Sequence, residues 1–117
     1  MNCKIVMLPE DVVVVTLFGE LDTHEAAKVR QKISTTILRG DVKTLIWKLD
    51  YLQFMDSAGI GLILGRMREL YAVNGRTILL NPSPTMEKIF GYSGLMPFVV
   101  HGTEDMAILH ARGIVNG

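Results

Sequence analysis

The sequence predicts a single α/β domain in which a mixed sheet of four or five strands carries about four helices. Three observations predict it. Short runs rich in β-branched residues alternate with segments whose apolar residues recur at helical spacing. Glycine and proline are dispersed, so no linker, repeat or low-complexity stretch divides residues 1–117. Finally, 49% of the residues are apolar, and a chain of 117 residues buries roughly two thirds of its unfolded surface, enough for a core without staples.

Taken in order, Cys3 to Leu8 and the β-branched run Val12 to Phe18, separated by Pro9, Glu10 and Asp11, read as a strand hairpin closed by Gly19. Asp22 followed by Glu25 is a capping-box signature. The helix it opens carries Ala26, Val29, Ile33 and Ile37 on one face, with Lys28, Arg30 and Lys32 off that stripe. Gly40 ends it, and Thr44 to Leu49 is a buried strand followed by a connector over 50–56. Ser57 to Val73 reads as helical despite three glycines and stops at Asn74-Gly75. Thr77 to Leu80 is a short strand. Ser83 and Pro84 then launch a short helix through Ile89 and Phe90, ended by Gly91 and Gly94. Pro97 to Val100 is a last strand, and Thr103 caps a terminal helix with Glu104 and Asp105 in its first turn.

Charge and cysteine usage exclude several classes. Twelve Lys and Arg balance twelve Asp and Glu, which leaves no general attraction for phosphate backbones or anionic membranes. Arg66, Arg68 and Arg76 are interleaved with acids and read as a solvated helix face, or as a means of docking an acidic partner. The single cysteine, Cys3, cannot form an internal disulfide and reads as a small buried hydrophobe in a reducing compartment. No apolar run approaches the ~20 residues that span a bilayer. The expectation is a soluble cytoplasmic protein with no membrane or direct nucleic-acid partner.

The most unusual segment runs from Phe54 to Gly65, with Asp56-Ser57-Ala58-Gly59-Ile60-Gly61 at its centre. A dinucleotide fingerprint fails at Leu64, where glycine or alanine is needed, and no Gly-Lys exists for a phosphate loop. A nucleophile elbow around Ser57 lacks its first glycine, although Asp105 and His110 follow in hydrolase order and keep a small serine hydrolase as the alternative from another class. His24 and His101 have no ligand-spaced partners and read as surface or satisfied loop residues, so neither metal nor cofactor is expected. Asp56 and Ser57 are both strong helix caps, and a glycine in a helix costs about 1 kcal/mol relative to alanine, which implies close packing or a special surface. A serine at a helix N-terminus is also a place where a phosphate fits among free N–H groups. Adding roughly 1.5 to 2 negative charges there changes the local surface drastically.

These residues resemble the STAS domain family, in particular the bacterial anti-sigma factor antagonists. Phe54 to Gly61 matches one recurrent motif, Gly19-Glu20-Leu21-Asp22 the other, and Ser93-Gly94-Leu95 fits near the C-terminal end. The resemblance covers nearly the whole chain and implies a STAS-like fold and a protein-binding switch instead of an enzyme. The unphosphorylated form would bind an anti-sigma factor that is also a serine kinase, with bound ADP or ATP, and so free a sigma factor. Ser57 would be the phosphorylated residue, a serine phosphatase would reset it, and sporulation-specific transcription would be the output. A general stress-response pathway is the alternative within the family. Ala58 stands where many relatives have a second serine, which leaves Ser57 as the acceptor. Asp22, Asp56, Ser57, Gly59 and Gly61 would form the partner-binding turn, the glycines admitting the partner backbone. Leu52, Met55 and Ile60 would divide between core and docking surface, with Met55 and Ile60 favouring the core.

Overall fold

The computed structural model describes residues 3–40 and 42–113. Five strands, β1 (Cys3–Leu8), β2 (Val12–Leu21), β3 (Thr44–Met55), β4 (Arg76–Leu80) and β5 (Val99–Val100), lie in the order β1-β2-β3-β4-β5. β1 is antiparallel to β2, and every later pair is parallel. Between them run α1 (Thr23–Leu38), α2 (Ser57–Ala72) and α3 (Pro84–Ser93), and α4 (Glu104–Ala111) follows β5. The alternation of strands and helices expected from the sequence is the observed one.

The strands distribute their side chains by the period-2 rule. Val13, Val15, Leu45, Trp47 and Leu79 point to the face covered by α1, α2 and α3. Val12, Val14, Ile46, Ile78 and Leu80 point to the face where α4 packs through Ala107. The predicted stripe of α1, Ala26, Val29, Ile33 and Ile37, is the buried one. Cys3 is in the core as expected, and burial pushes its thiol pKa up. Ser83 caps α3 and Thr103 caps α4, accepting from the backbone N–H groups of Met86 and Met106 at 3.2 and 3.1 Å.

Several boundaries differ from expectation. Gly19 does not close β2. Its φ of +69°, open to glycine without strain, lets the strand turn through an irregularity and continue to Leu21. The expected connector over 50–56 is mostly strand, because β3 runs to Met55 alongside this extension. The register steps from Thr16↔Lys48 to Phe18↔Tyr51 and from Gly19↔Leu52 to Glu20↔Phe54, so β3 carries one extra residue at each step. These bulges reset which side chains face inward, moving the buried positions from Leu49 to Leu52 to Met55. Gly91 lies inside α3, and Gly94, at φ +75°, is the residue that ends it. In the last expected strand only Val99 and Val100 pair, since Met96 to Phe98 form a 3₁₀ turn.

α4 is held to the sheet by an ion pair as well as by packing. Lys48 Nζ donates to Glu104 Oε1 at 3.0 Å and lies 5.5 Å from the centre of the Tyr51 ring. The hydrogen bond to Glu104 is the main cause of a raised Lys48 pKa. A raised lysine pKa contributes stability that is fully present below the unfolded value, about 10.4, and is lost as pH rises through the folded value. Urea unfolding across that alkaline range should therefore show a loss of stability that Glu104→Gln reduces. Ile33→Ala, at the centre of the α1 stripe, should cost about 2–5 kcal/mol in the same assay, and the exposed Leu38→Ala less than about 0.5 kcal/mol.

Candidate functional site

Two sequence motifs far apart in the chain end on neighbouring parallel strands. Leu21 of β2 is in register with Met55 of β3, both are buried, and each is followed directly by an aspartate that starts a helix. Asp22 Oδ1 accepts from the Glu25 N–H at 2.8 Å, and Asp56 Oδ1 accepts from the Ala58 N–H at 2.9 Å. Neighbouring strands are about 4.8 Å apart, so the two caps and the first turns of α1 and α2 share one end of the sheet. Of the expected capping box only the Asp22 half forms, and Glu25 lies 3.9 Å from Lys28.

Ser57 is the first residue of α2 and is exposed. Its hydroxyl has no hydrogen-bond partner among the described residues. The first-turn N–H groups beyond it are already used: Ala58 by the Asp56 carboxylate, Gly59 and Ile60 by the Asp56 carbonyl at 3.0 and 3.2 Å. This corrects the expectation of free amides around a phosphate on Ser57. The Asp56 carboxylate already takes the Ala58 donor, so negative charge added at Ser57 would meet a carboxylate of the same sign.

The two motif glycines have different jobs. Gly59 is buried, and a Cβ there would meet Met55 Cβ at 2.7 Å and Met55 Sδ at 3.0 Å. It is needed for packing α2 onto β3, not for admitting a partner backbone. Gly61 is exposed, with nothing within 4 Å of where a Cβ would stand. It borders a shallow cavity of about 380 Å³ between α1 and α2, together with Thr23, Ala27, Arg30, Ala58 and Arg66. Met55 and Leu52 are buried, and Ile60 is half-buried against the core, so these three belong mainly to the interior.

Arg66 overturns the reading of a solvated basic face. It is only 7% exposed, and its Nε donates to Glu69 Oε1 at 2.9 Å. Glu69 also accepts from Ser34 Oγ at 2.9 and 3.0 Å, which ties α2 to α1 behind the cavity. Arg68 and Arg76 are exposed as expected. Sequence spacing does contain the Arg66 to Glu69 pair at i, i+3, but it gives no sign that the pair faces α1.

The hydrolase arrangement is not formed. His110 lines a separate cleft with Met67, Tyr71 and Arg76, and Tyr71 is about 21 Å from Ser57 along the α2 axis at 1.5 Å per residue. His24 is exposed, and His101 Nε2 lies 2.7 Å from Glu87 Oε1. Among the described residues no cluster of three or more His, Cys, Asp or Glu could hold a metal ion, and no helix is long and apolar enough to cross a membrane.

Residues 5–107 match the STAS domain model. An anti-sigma F factor antagonist of Lysinibacillus sphaericus is 57% identical over the full length of both chains. The structure of the anti-sigma factor antagonist SpoIIAA in its unphosphorylated form is similar with a TM-score of 0.92 and 56% identity, covering 97% of this chain and 99% of that one. The Bacillus cell fate determinant SpoIIAA in the phosphorylated form gives 0.84 and 56%, covering 92% and 97%.

The glycine assignment is tested by two alanine variants. Gly59→Ala should destabilise the domain by about 1–3 kcal/mol through overpacking against Met55. Gly61→Ala should leave stability unchanged or raise it by about 0.5–1 kcal/mol, the helix-propensity gain. Urea denaturation with equal effects at both positions would contradict the assignment.

Proposed function

Because this chain belongs to the STAS domain family, we propose that it is an anti-sigma F factor antagonist controlled by phosphorylation of Ser57. In its unphosphorylated form it binds an anti-sigma factor that is also a serine kinase, displaces the sigma factor and so permits sporulation-specific transcription. The kinase carries ADP or ATP. With ATP it transfers the γ-phosphoryl group to Ser57 Oγ, and ADP and the hydroxyl proton leave. A serine phosphatase hydrolyses the phosphoester and restores the binding form. Such a pathway acts in the cytoplasm, and the protein itself carries no catalytic group.

One observation carries this reading. Ser57 is exposed, unbonded among the described residues, and fixed at the junction of a core strand and its helix beside Asp56 and Asp22. The surface a partner meets would be Asp22, Asp56, Ser57, Ala58 and Gly61, which is small-residued and mildly acidic. A phosphate on Ser57 adds roughly 1.5 to 2 negative charges beside the Asp56 carboxylate, whose bond to the Ala58 N–H occupies the nearest donor. The modified form is therefore blocked by bulk and by like charge in the interface, with no need to refold. The similarity to both the unphosphorylated and the phosphorylated SpoIIAA structures supports that economy of motion. The 57% identity to an anti-sigma F factor antagonist supports the sporulation pathway over a stress-response one.

Ser57→Ala should bind the anti-sigma factor as the parent does and incorporate no phosphate from ATP. Ser57→Asp should bind at least about tenfold more weakly, since each factor of ten is only about 1.4 kcal/mol of interface energy. Calorimetry and phosphate incorporation measure the two. Phosphate appearing on Ser83 or Ser93 in Ser57→Ala would contradict the assignment.

A further inference from the structure

Among the described residues β1 is one edge of the sheet, and its six residues have a strand partner on one side only. Its outward row of backbone N–H and C=O groups is a template for another strand, and Lys4 is the only charged side chain the strand carries to discourage one. Beside it, on the α1 side, is a groove of about 620 Å³ with Ile5 at its floor and Lys28, Gln31, Lys32, Thr35 and Arg39 along its wall. Lys28, Lys32 and Arg39 are all exposed. The one carboxylate of α1, Glu25, is 3.9 Å from Lys28 Nζ.

The neutral total conceals this asymmetry. From Thr23 to Arg39 the chain holds four cations, Lys28, Arg30, Lys32 and Arg39, against Glu25 alone, leaving eight cations and eleven carboxylates elsewhere. On its other face β1 presents Lys4, Val6 and Leu8 to a mixed depression, in which Val14 and Phe18 stand beside Thr16, Tyr51 and the Lys48–Glu104 ion pair. The edge strand therefore separates a basic side from one where Val6 and Leu8 lie next to a charge-paired, mixed surface.

We propose that this edge binds an extended polypeptide segment in which acidic and aliphatic residues alternate. A strand added to β1 would lie about 4.8 Å outward and point successive side chains to opposite faces. Its carboxylates would meet Lys28, Lys32 and Arg39, and its aliphatic residues would extend the surface of Val6 and Leu8. A second copy of this chain fits poorly. Antiparallel pairing of two β1 edges would bring the basic walls of both α1 helices together on the same side of the joined sheet. A single-stranded nucleic acid would satisfy the cations but leave the backbone row and the Val6 and Leu8 side chains unused.

The test titrates the full ¹⁵N-labelled chain with a blocked octapeptide of alternating Val and Glu. Amide shifts should be confined to β1 and the outer face of α1, and β1 amides should exchange more slowly at saturation. Lys28→Glu/Lys32→Glu should weaken binding at least about tenfold, and Arg39→Glu, as an independent variant, at least about threefold. An octapeptide with the same residues in two blocks should bind more weakly than the alternating one. The proposal is overturned if the alternating Val-Lys peptide or an oligothymidine binds as tightly, if millimolar Val-Glu peptide leaves β1 unshifted, or if the chain alone dimerises through β1.

Discussion

The parallel pairing of β2 with β3, and its register, is the constraint on which the rest of this molecule depends. Because Leu21 stands opposite Met55, the aspartates that follow them end up side by side, and each starts a helix. Motifs more than thirty residues apart become a single surface without any contact between their side chains being required. The extra residues in β3 belong to the same constraint. They let its outer half continue beside β2 while resetting the inward positions to Leu52 and Met55, which anchor the end of the strand in the core.

That anchoring separates the buried from the exposed. Met55 is sealed in, Gly59 is held against it, and Arg66 with Glu69 and Ser34 locks α2 to α1 from behind. What remains outside is short and polar: two capping carboxylates, a serine hydroxyl and an open glycine. A surface fixed by its neighbours has little freedom to reorganise, so under the proposed function a phosphate added there would change what can dock. The neutral total charge fits this, although it is an average over a basic α1 side and a more acidic remainder.

The helices were legible because each carries its own start signal. Asp22, Asp56, Ser83 and Thr103 are cap residues at the predicted places, and each accepts a backbone N–H in the structure. The outer half of β3 was hidden because its bulges break the alternation that identifies a strand, so the stretch from Asp50 to Met55 resembles a loop in sequence. The roles of Gly59 and Arg66 were hidden for a different reason. Both depend on which neighbour the folded chain presents, Met55 to one and the Ser34 side of α1 to the other, and neither neighbour is implied by local spacing. Asp22, Asp56, Ser57 and Gly61 lie at one end of the molecule, whereas Gly59 belongs to the packing beneath them.

The most direct measurement of the central claim is a map of backbone amide shifts when the anti-sigma factor is added to the ¹⁵N-labelled chain. The account predicts shifts concentrated at Asp22, Thr23, Asp56, Ser57, Ala58 and Gly61, with the interior of the sheet and α4 unchanged, and no shifts when Ser57 carries phosphate. Shifts centred on α4, or on only one of the two capped helix starts, would contradict it.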